Sequence, residues 1–354
     1  MRRIAVVIVS LMILVGAFAQ DSRYLGVAYT PGFLLAHRAD IKGLAAHNWG
    51  VNVSYELDRT ETDWGGYYRK PVVGFGVGYN NLGSDVTGHA VSGFTHIKFA
   101  LIQRKHVDLR FKMGAGLAYL TEKFEPLENR RNQAIGSHLN GTMHFGLLSH
   151  IDLDKQHSYV ELGIGITHFS NAAFKVPNLG YNIPHLTARY GFGLGRVASE
   201  DSIRLNPSQW TSSLTLIYGK KQRNFANPQD FYNFGLQARA LRHVSLVKAW
   251  RMGVDYTLDK SYKYSEDASY PLDSISLLDK SEVAIAGGFQ WTFGKVDVVT
   301  EVGAYLYKPA VLKNALSQRI GLVYRVSQHL STQGTLRFHR GVADFFEIGV
   351  GYTL

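Results

Sequence analysis

Runs of strict period-two alternation recur from one end of the chain to the other, and they restrict its fold more than any other feature. Trp49, Val51, Val53, Tyr55 and Leu57 alternate with Gly50, Asn52, Ser54 and Glu56; Val107, Leu109, Phe111, Met113, Ala115, Leu117 and Tyr119 alternate with Asp108, Arg110, Lys112, Gly114, Gly116 and Ala118. Near the C-terminus Phe346, Ile348, Val350, Tyr352 and Leu354 alternate with Glu347, Gly349, Gly351 and Thr353. Successive side chains on a strand point to opposite faces, so each run has one apolar face and one face of glycine or polar groups. The 36 Gly, 20 Tyr and 19 Phe against only 9 Pro suit strands, tight turns and aromatic girdles better than helices.

A soluble sandwich also alternates, but it must protect its sheet edges. Here the final run stops on the last residue with an aromatic two positions before it, as outer-membrane barrels do. The expected fold is all-β: a transmembrane, antiparallel, up-and-down β-barrel of about 14–16 strands. Connections after even-numbered runs are short (Arg104-Lys105, Arg242-His243, Gly294-Lys295), whereas 122–134, 171–184, 220–230 and 259–280 after odd-numbered runs are long. The connections 58–69 and 196–209 are exceptions, and as a tendency the asymmetry places the odd-numbered connections, with the end of the run carrying His168 and Ser170, at the outer surface.

The first residues read as an export signal: Arg2 and Arg3, an apolar run from Ile4 to Val15, and Ala17-Phe18-Ala19 before Gln20. Residues 1–19 are therefore expected to be a cleaved signal peptide and residues 20–354 a single barrel domain. Eight strands ending near residue 200, followed by a second barrel-like half, is the alternative partition. An exported barrel needs the outer-membrane assembly machinery during insertion. A formal net charge of +10 suits an anionic membrane surface or acidic glycolipid, and export argues against nucleic acid as a partner. With no Cys there are neither disulfides nor thiolate metal sites, and no carboxylate-His cluster has metal-ligand spacing.

One stretch carries chemistry. Val160, Leu162, Ile164 and Ile166 form an apolar row, which His168 and Ser170 continue. Residues i and i+2 of a strand share a face about 6.6 Å apart, close enough for an imidazole to reach a serine hydroxyl and activate it. If the row faces lipid, so does the pair. The bland alternative is an interfacial pair meeting headgroups without doing chemistry. Gly74-Phe75-Gly76-Val77-Gly78 and Gly191-Phe192-Gly193-Leu194-Gly195 lack a following helix and read as inward faces rather than phosphate loops. Asp108, Arg110, Lys112, Arg189, Glu282, Gln290 and Glu301 fall on the non-apolar parity. They would fill or line a lumen, and an open lumen would make the protein a porin or transport barrel.

The string His168-x-Ser170-Asn171-Ala172 followed by Pro177-Asn178-x-Gly180 resembles the outer-membrane lipid A 3-O-deacylases of the PagL type (acyloxyacyl hydrolase-like). The resemblance extends over residues 20–200, with 201–354 as additional strands. It implies a cofactor-free serine esterase in the outer membrane that removes a (3-hydroxy)acyl chain from lipid A, the lipid component of lipopolysaccharide. It also implies Ser170 as nucleophile, His168 as general base, and Asn178 with a backbone N–H near Ala173 as oxyanion donors. Lys175 and Asn171 would contact the substrate. The family's acidic third member falls at Asn182, which can orient the imidazole but brings no charge. Ala173 stands where family members often carry Gly, and requires a negative φ. An outer-membrane phospholipase on the same scaffold is a further alternative.

Overall fold

The computed structural model describes residues 21–105, 107–153, 158–197, 210–223, 228–263, 276–308 and 314–354. The expected signal at 1–19 lies outside them. Among the described residues there are sixteen strands: β1 (Asp21–Phe33), β2 (His47–Asp58), β3 (Val72–Asn81), β4 (His89–Ile102), β5 (Asp108–Leu120), β6 (Leu139–Asp152), β7 (Tyr159–Ser170), β8 (Tyr181–Val197), β9 (Trp210–Lys221), β10 (Phe231–Ser245), β11 (Lys248–Asp259), β12 (Ser281–Phe293), β13 (Val296–Tyr307), β14 (Leu316–Arg325), β15 (Leu330–His339) and β16 (Val342–Thr353). They run from 10 to 17 residues, and a tilted strand needs about 9–11 to cross the hydrocarbon of a bilayer.

The sixteen strands close as two rings of eight rather than as one large barrel. Every neighbouring pair is antiparallel, and β1 pairs with β8 (Val27 opposite Tyr190) while β9 pairs with β16 (Leu216 opposite Val350). The expectation of a single barrel over 20–354 is corrected by those two closing seams. Each ring forms its own compact unit.

In both rings alternation sorts side chains as the sequence implies. Leu25, Val27, Tyr29, Trp49, Val53, Tyr55, Leu162 and Ile164 of the first ring are exposed on its outer wall, as are Leu214, Leu216, Trp250, Val254, Ile348 and Val350 of the second. The inward parity is polar and buried, and it includes Asp108, Arg110, Arg189, Glu282, Gln290 and Glu301. In the first ring Lys98 Nζ lies 2.9 Å from Glu56 and 2.8 Å from Glu161, Arg189 pairs with Glu56, and His150 Nδ1 is 3.0 Å from Glu161. In the second, Arg239 makes a two-pronged contact with Glu301 (2.8 Å each), and Arg319 Nε reaches Glu347 at 2.7 Å. Apart from His150 and Glu161, which face each other on adjacent strands, these pairs join strands that are not neighbours in the ring, so the inward charges close on one another across the interior. Each burial is tolerable because the partner and several hydrogen bonds replace water.

One end of the first ring carries an apolar plug. Leu34, Ile41 and Leu44 from the β1–β2 connection, Leu82, and Ala134 and Ile135 from the β5–β6 connection pack on Leu120, Phe169, Tyr181 and Ile183. Tyr181 donates its hydroxyl to Asn132 Oδ1 at 2.7 Å, and Asn132 Nδ2 donates to the Val86 carbonyl at 3.1 Å. This is the end at which β7 stops and β8 begins.

Candidate active site

The last three residues of β7 alternate across the wall: His168 and Ser170 are half-buried on the outer face with Leu162 and Ile164, while Phe169 between them is fully buried in the plug. Tyr181 and Ile183 do the same on β8, leaving Asn182 on the outer face. The strand begins at Tyr181, earlier than the sequence pattern suggests. Asn182 is consequently a strand residue, paired directly opposite His168 in the ladder.

That register sets the site's geometry. His168 Nδ1 lies 2.7 Å from Asn182 Oδ1, and Asn182 Nδ2 lies 3.0 Å from Nδ1 of His37. With the amide in this orientation His168 Nδ1 carries the proton and donates, so Nε2 is left as the acceptor a general base needs. The β1–β2 connection is pinned beside it, since Leu35 N donates to the Asn182 carbonyl at 2.8 Å. His37 is a member of the site that the sequence reading missed; it lies 145 residues from Asn182, in no motif.

The two ends of the connection from β7 to β8, at Asn171 and at 178–180, are held from the side of the plug. Asn178 Oδ1 accepts from the backbone N–H of Asn171 at 2.8 Å, and a backbone N–H can only donate, so the amide's orientation is fixed with Nδ2 as its donor end. Asn171, buried, donates its own side-chain amide to Ser137 Oγ at 2.9 Å. Leu179 N and Gly180 N both donate to the Ala134 carbonyl, at 2.9 and 3.0 Å. Gly180 has φ +78°, and a β-carbon there would stand 2.8 Å from Cε1 of His168, so only glycine lets the turn pass against the imidazole.

Ala173 has φ +62° and its neighbour Ala172 φ +53°, which overturns the expectation of a negative φ. The turn keeps the left-handed backbone a glycine would give, and each alanine holds it at a cost of about 1–2 kcal/mol. Lys175 is exposed on the same turn. Glu161 is turned inward and committed to Lys98 and His150, so it is no substitute for a third member. Among the described residues no group of three or more His, Asp or Glu converges as a metal site would.

Two family models match the chain: lipid A 3-O-deacylase (PagL) over residues 49–191, and the C-terminal domain of acyloxyacyl hydrolase over 210–354. The chain belongs to the PagL-type lipid A deacylase family. It is accordingly an ester hydrolase, and its place is the outer membrane. The residues expected to be mere additional strands, β9–β16, carry a PagL-type description of their own. Among solved structures, the outer-membrane enzyme PagL is 17% identical, over 46% of this chain and 97% of that one, with a TM-score of 0.35. Outer membrane phospholipase A from Escherichia coli is 11% identical over 98% of this chain and 96% of its own, with a TM-score of 0.20. No curated protein matches.

Proposed function

We propose that the chain hydrolyses an ester-linked 3-hydroxyacyl chain of lipid A in the outer leaflet, at a lipid-facing Ser-His site on the wall of its first ring. Ser170 attacks the acyl carbonyl, His168 Nε2 takes its proton and returns it to the leaving sugar hydroxyl, and water then releases the fatty acid from the acyl-serine. Asn182 holds the imidazole through Nδ1. Asn178 Nδ2 and a backbone N–H near Ala173 stabilise the oxyanion, each donor contributing about 3–4 kcal/mol to lowering the barrier. Lys175 meets the headgroup, whereas Asn171, expected to do the same, is buried on Ser137 and holds the turn instead; residues 1–19 direct export, and the assembly machinery inserts the mature chain.

The observation that carries this reading is the shared face: His168 and Ser170 continue a row in which Leu162 is 52% and Ile164 58% exposed. An acyl chain lying along that row reaches the serine without leaving the bilayer. Mass spectrometry of lipid A from a host expressing the chain, beside one expressing Ser170→Ala, tests it. Loss of one hydroxyacyl mass only with the intact serine is the expected result. Unchanged lipid A with the inserted native chain refutes it, and fatty acid released from phospholipid instead would make the protein a phospholipase.

A further inference from the structure

The second ring has a basic cavity that the proposed esterase chemistry leaves unused. It occupies about 370 Å³ and is lined by Arg223, Tyr262, Lys308, Asn314, His339, Arg340 and Asp344 among others. All of these come from the ends of β9, β11, β13 and β15 or the connections that follow them, apart from Asp344 just inside β16, so the cavity sits at one mouth of that ring.

Most charges at this mouth are already matched. Lys221 lies 2.6 Å from Asp259 and 2.7 Å from Asp344, Arg337 lies 2.7 Å from both Glu282 and Asp344, and His339 Nδ1 is 3.9 Å from Asp344. The carboxylate in the lining is therefore neutralised from behind. Five cations (Lys221, Arg223, Lys308, Arg337 and Arg340) face three carboxylates (Asp259, Glu282 and Asp344), so two positive charges remain in excess, and three of the cations line the cavity. Arg223 reaches Asp259 only at 3.9 Å and lies over the Tyr262 ring, 5.2 Å from its centre. Lys308 is 3.4 Å from Glu282, which Arg337 already holds; burial pushes its ammonium below the usual lysine range, and Glu282 offsets only part of that shift. Arg340 has no ion-pair partner among the described residues.

Arg340 also supplies a second line of argument. It and Gly341 form the two-residue turn between β15 and β16, with φ +51° and +81°. Both positions of such a turn need positive φ, and Asn-Gly fills them with least strain. An arginine there holds a left-handed backbone at a cost, while its side chain lines the cavity. Strain retained in this way points to a function for the side chain.

We propose that this cavity binds a phosphate group, with Arg340, Arg223 and Lys308 as the cationic contacts and Asn314 at its edge; the Tyr262 hydroxyl is already donated to Glu282. Guanidinium groups match phosphate oxygens two at a time, and a dianion compensates both the excess charge and the desolvated lysine. The volume falls at the low end of small-molecule sites, so a sugar carrying the phosphate fits as well as the ion alone. The phosphate can thus come from a glycolipid headgroup or from free phosphate.

Titration calorimetry on the full chain in detergent micelles, with inorganic phosphate, glucosamine 6-phosphate and glucosamine as probes, tests this. Saturable binding of both phosphates and none of glucosamine is expected. Tighter binding of the sugar phosphate marks a headgroup site, and equal binding marks a site for the free ion. Arg340→Asn removes the charge but tolerates the left-handed backbone, so it keeps or raises the melting temperature while weakening phosphate binding about tenfold or more. Lys308→Gln gives the same loss at a second position. Absence of saturable phosphate binding, or affinity unchanged in both variants, overturns the proposal.

Discussion

Asn182→Asp exchanges an amide for a carboxylate of the same shape, 2.7 Å from His168 Nδ1. The ladder register that brings the two residues together is a backbone property and is retained. What changes is the charge facing the imidazolium that forms as Ser170 gives up its proton. A neutral hydrogen bond contributes about 0.5–1.5 kcal/mol and one to a charged group about 1.5–3, so the transition state gains about 1–1.5 kcal/mol. At 1.36 kcal/mol per decade this is roughly a five- to twelvefold rise in kcat. The carboxylate also accepts only, which obliges Nδ1 to carry the proton. His37, now facing a carboxylate oxygen in place of Nδ2, becomes a donor by changing tautomer. The assay is turnover of purified lipid A at saturating concentration, followed by mass spectrometry, with melting recorded in parallel. His37→Ala in the native background should lower kcat severalfold, and much less in the Asn182→Asp background. A kcat that is unchanged or lower in Asn182→Asp, at unchanged melting temperature, would refute the role given to this pair.

Three further outcomes are expected. Gly180→Ala puts a β-carbon 2.8 Å from the His168 ring at φ +78°; the ring must move, and kcat should fall more than tenfold while urea unfolding shifts by only about 1–2 kcal/mol. Ala173→Gly relieves a left-handed alanine and should stabilise by up to about 1 kcal/mol after the entropic cost of glycine, seen as a higher melting temperature; a lower one would contradict the strain assigned to that turn. Lys98→Met removes one of the two cations shared by the buried Glu56 and Glu161 carboxylates, leaving Arg189 alone between them, and should cost about 3 kcal/mol in urea unfolding, whereas a loss near zero would mean that the lumen readmits water.

Which residues face outward was legible from alternation alone, because the period of a strand fixes parity without reference to any partner. His168 and Ser170 were placed on the outer face by that rule, beside the exposed Leu162 and Ile164. How many rings the strands make was not legible. A strand of an eight-stranded ring alternates as one of a sixteen-stranded ring does, and the difference lies only in whether β1 meets β8 or β16. The same non-locality hid His37, and it hid the plug that anchors Phe169 and Tyr181. Ala173 failed for a different reason: residue type gives a preference for φ, and the surrounding connection overruled it.

The buried charges of the first ring bear on how such a protein assembles. Glu56, Lys98, Glu161 and Arg189 come from β2, β4, β7 and β8, so the set is complete only when the last strand has arrived. A sheet that stops short leaves at least one of these ions without its counterpart, and hydrocarbon tolerates that poorly. Closure of the seam between β1 and β8 is thereby tested by electrostatics from inside the ring. The second ring repeats the device with Arg239, Glu301, Arg319 and Glu347, drawn from β10, β13, β14 and β16. A chain with sixteen similar strands has many wrong ways to pair them, and an interior that accepts only a finished set of eight rejects most of those errors.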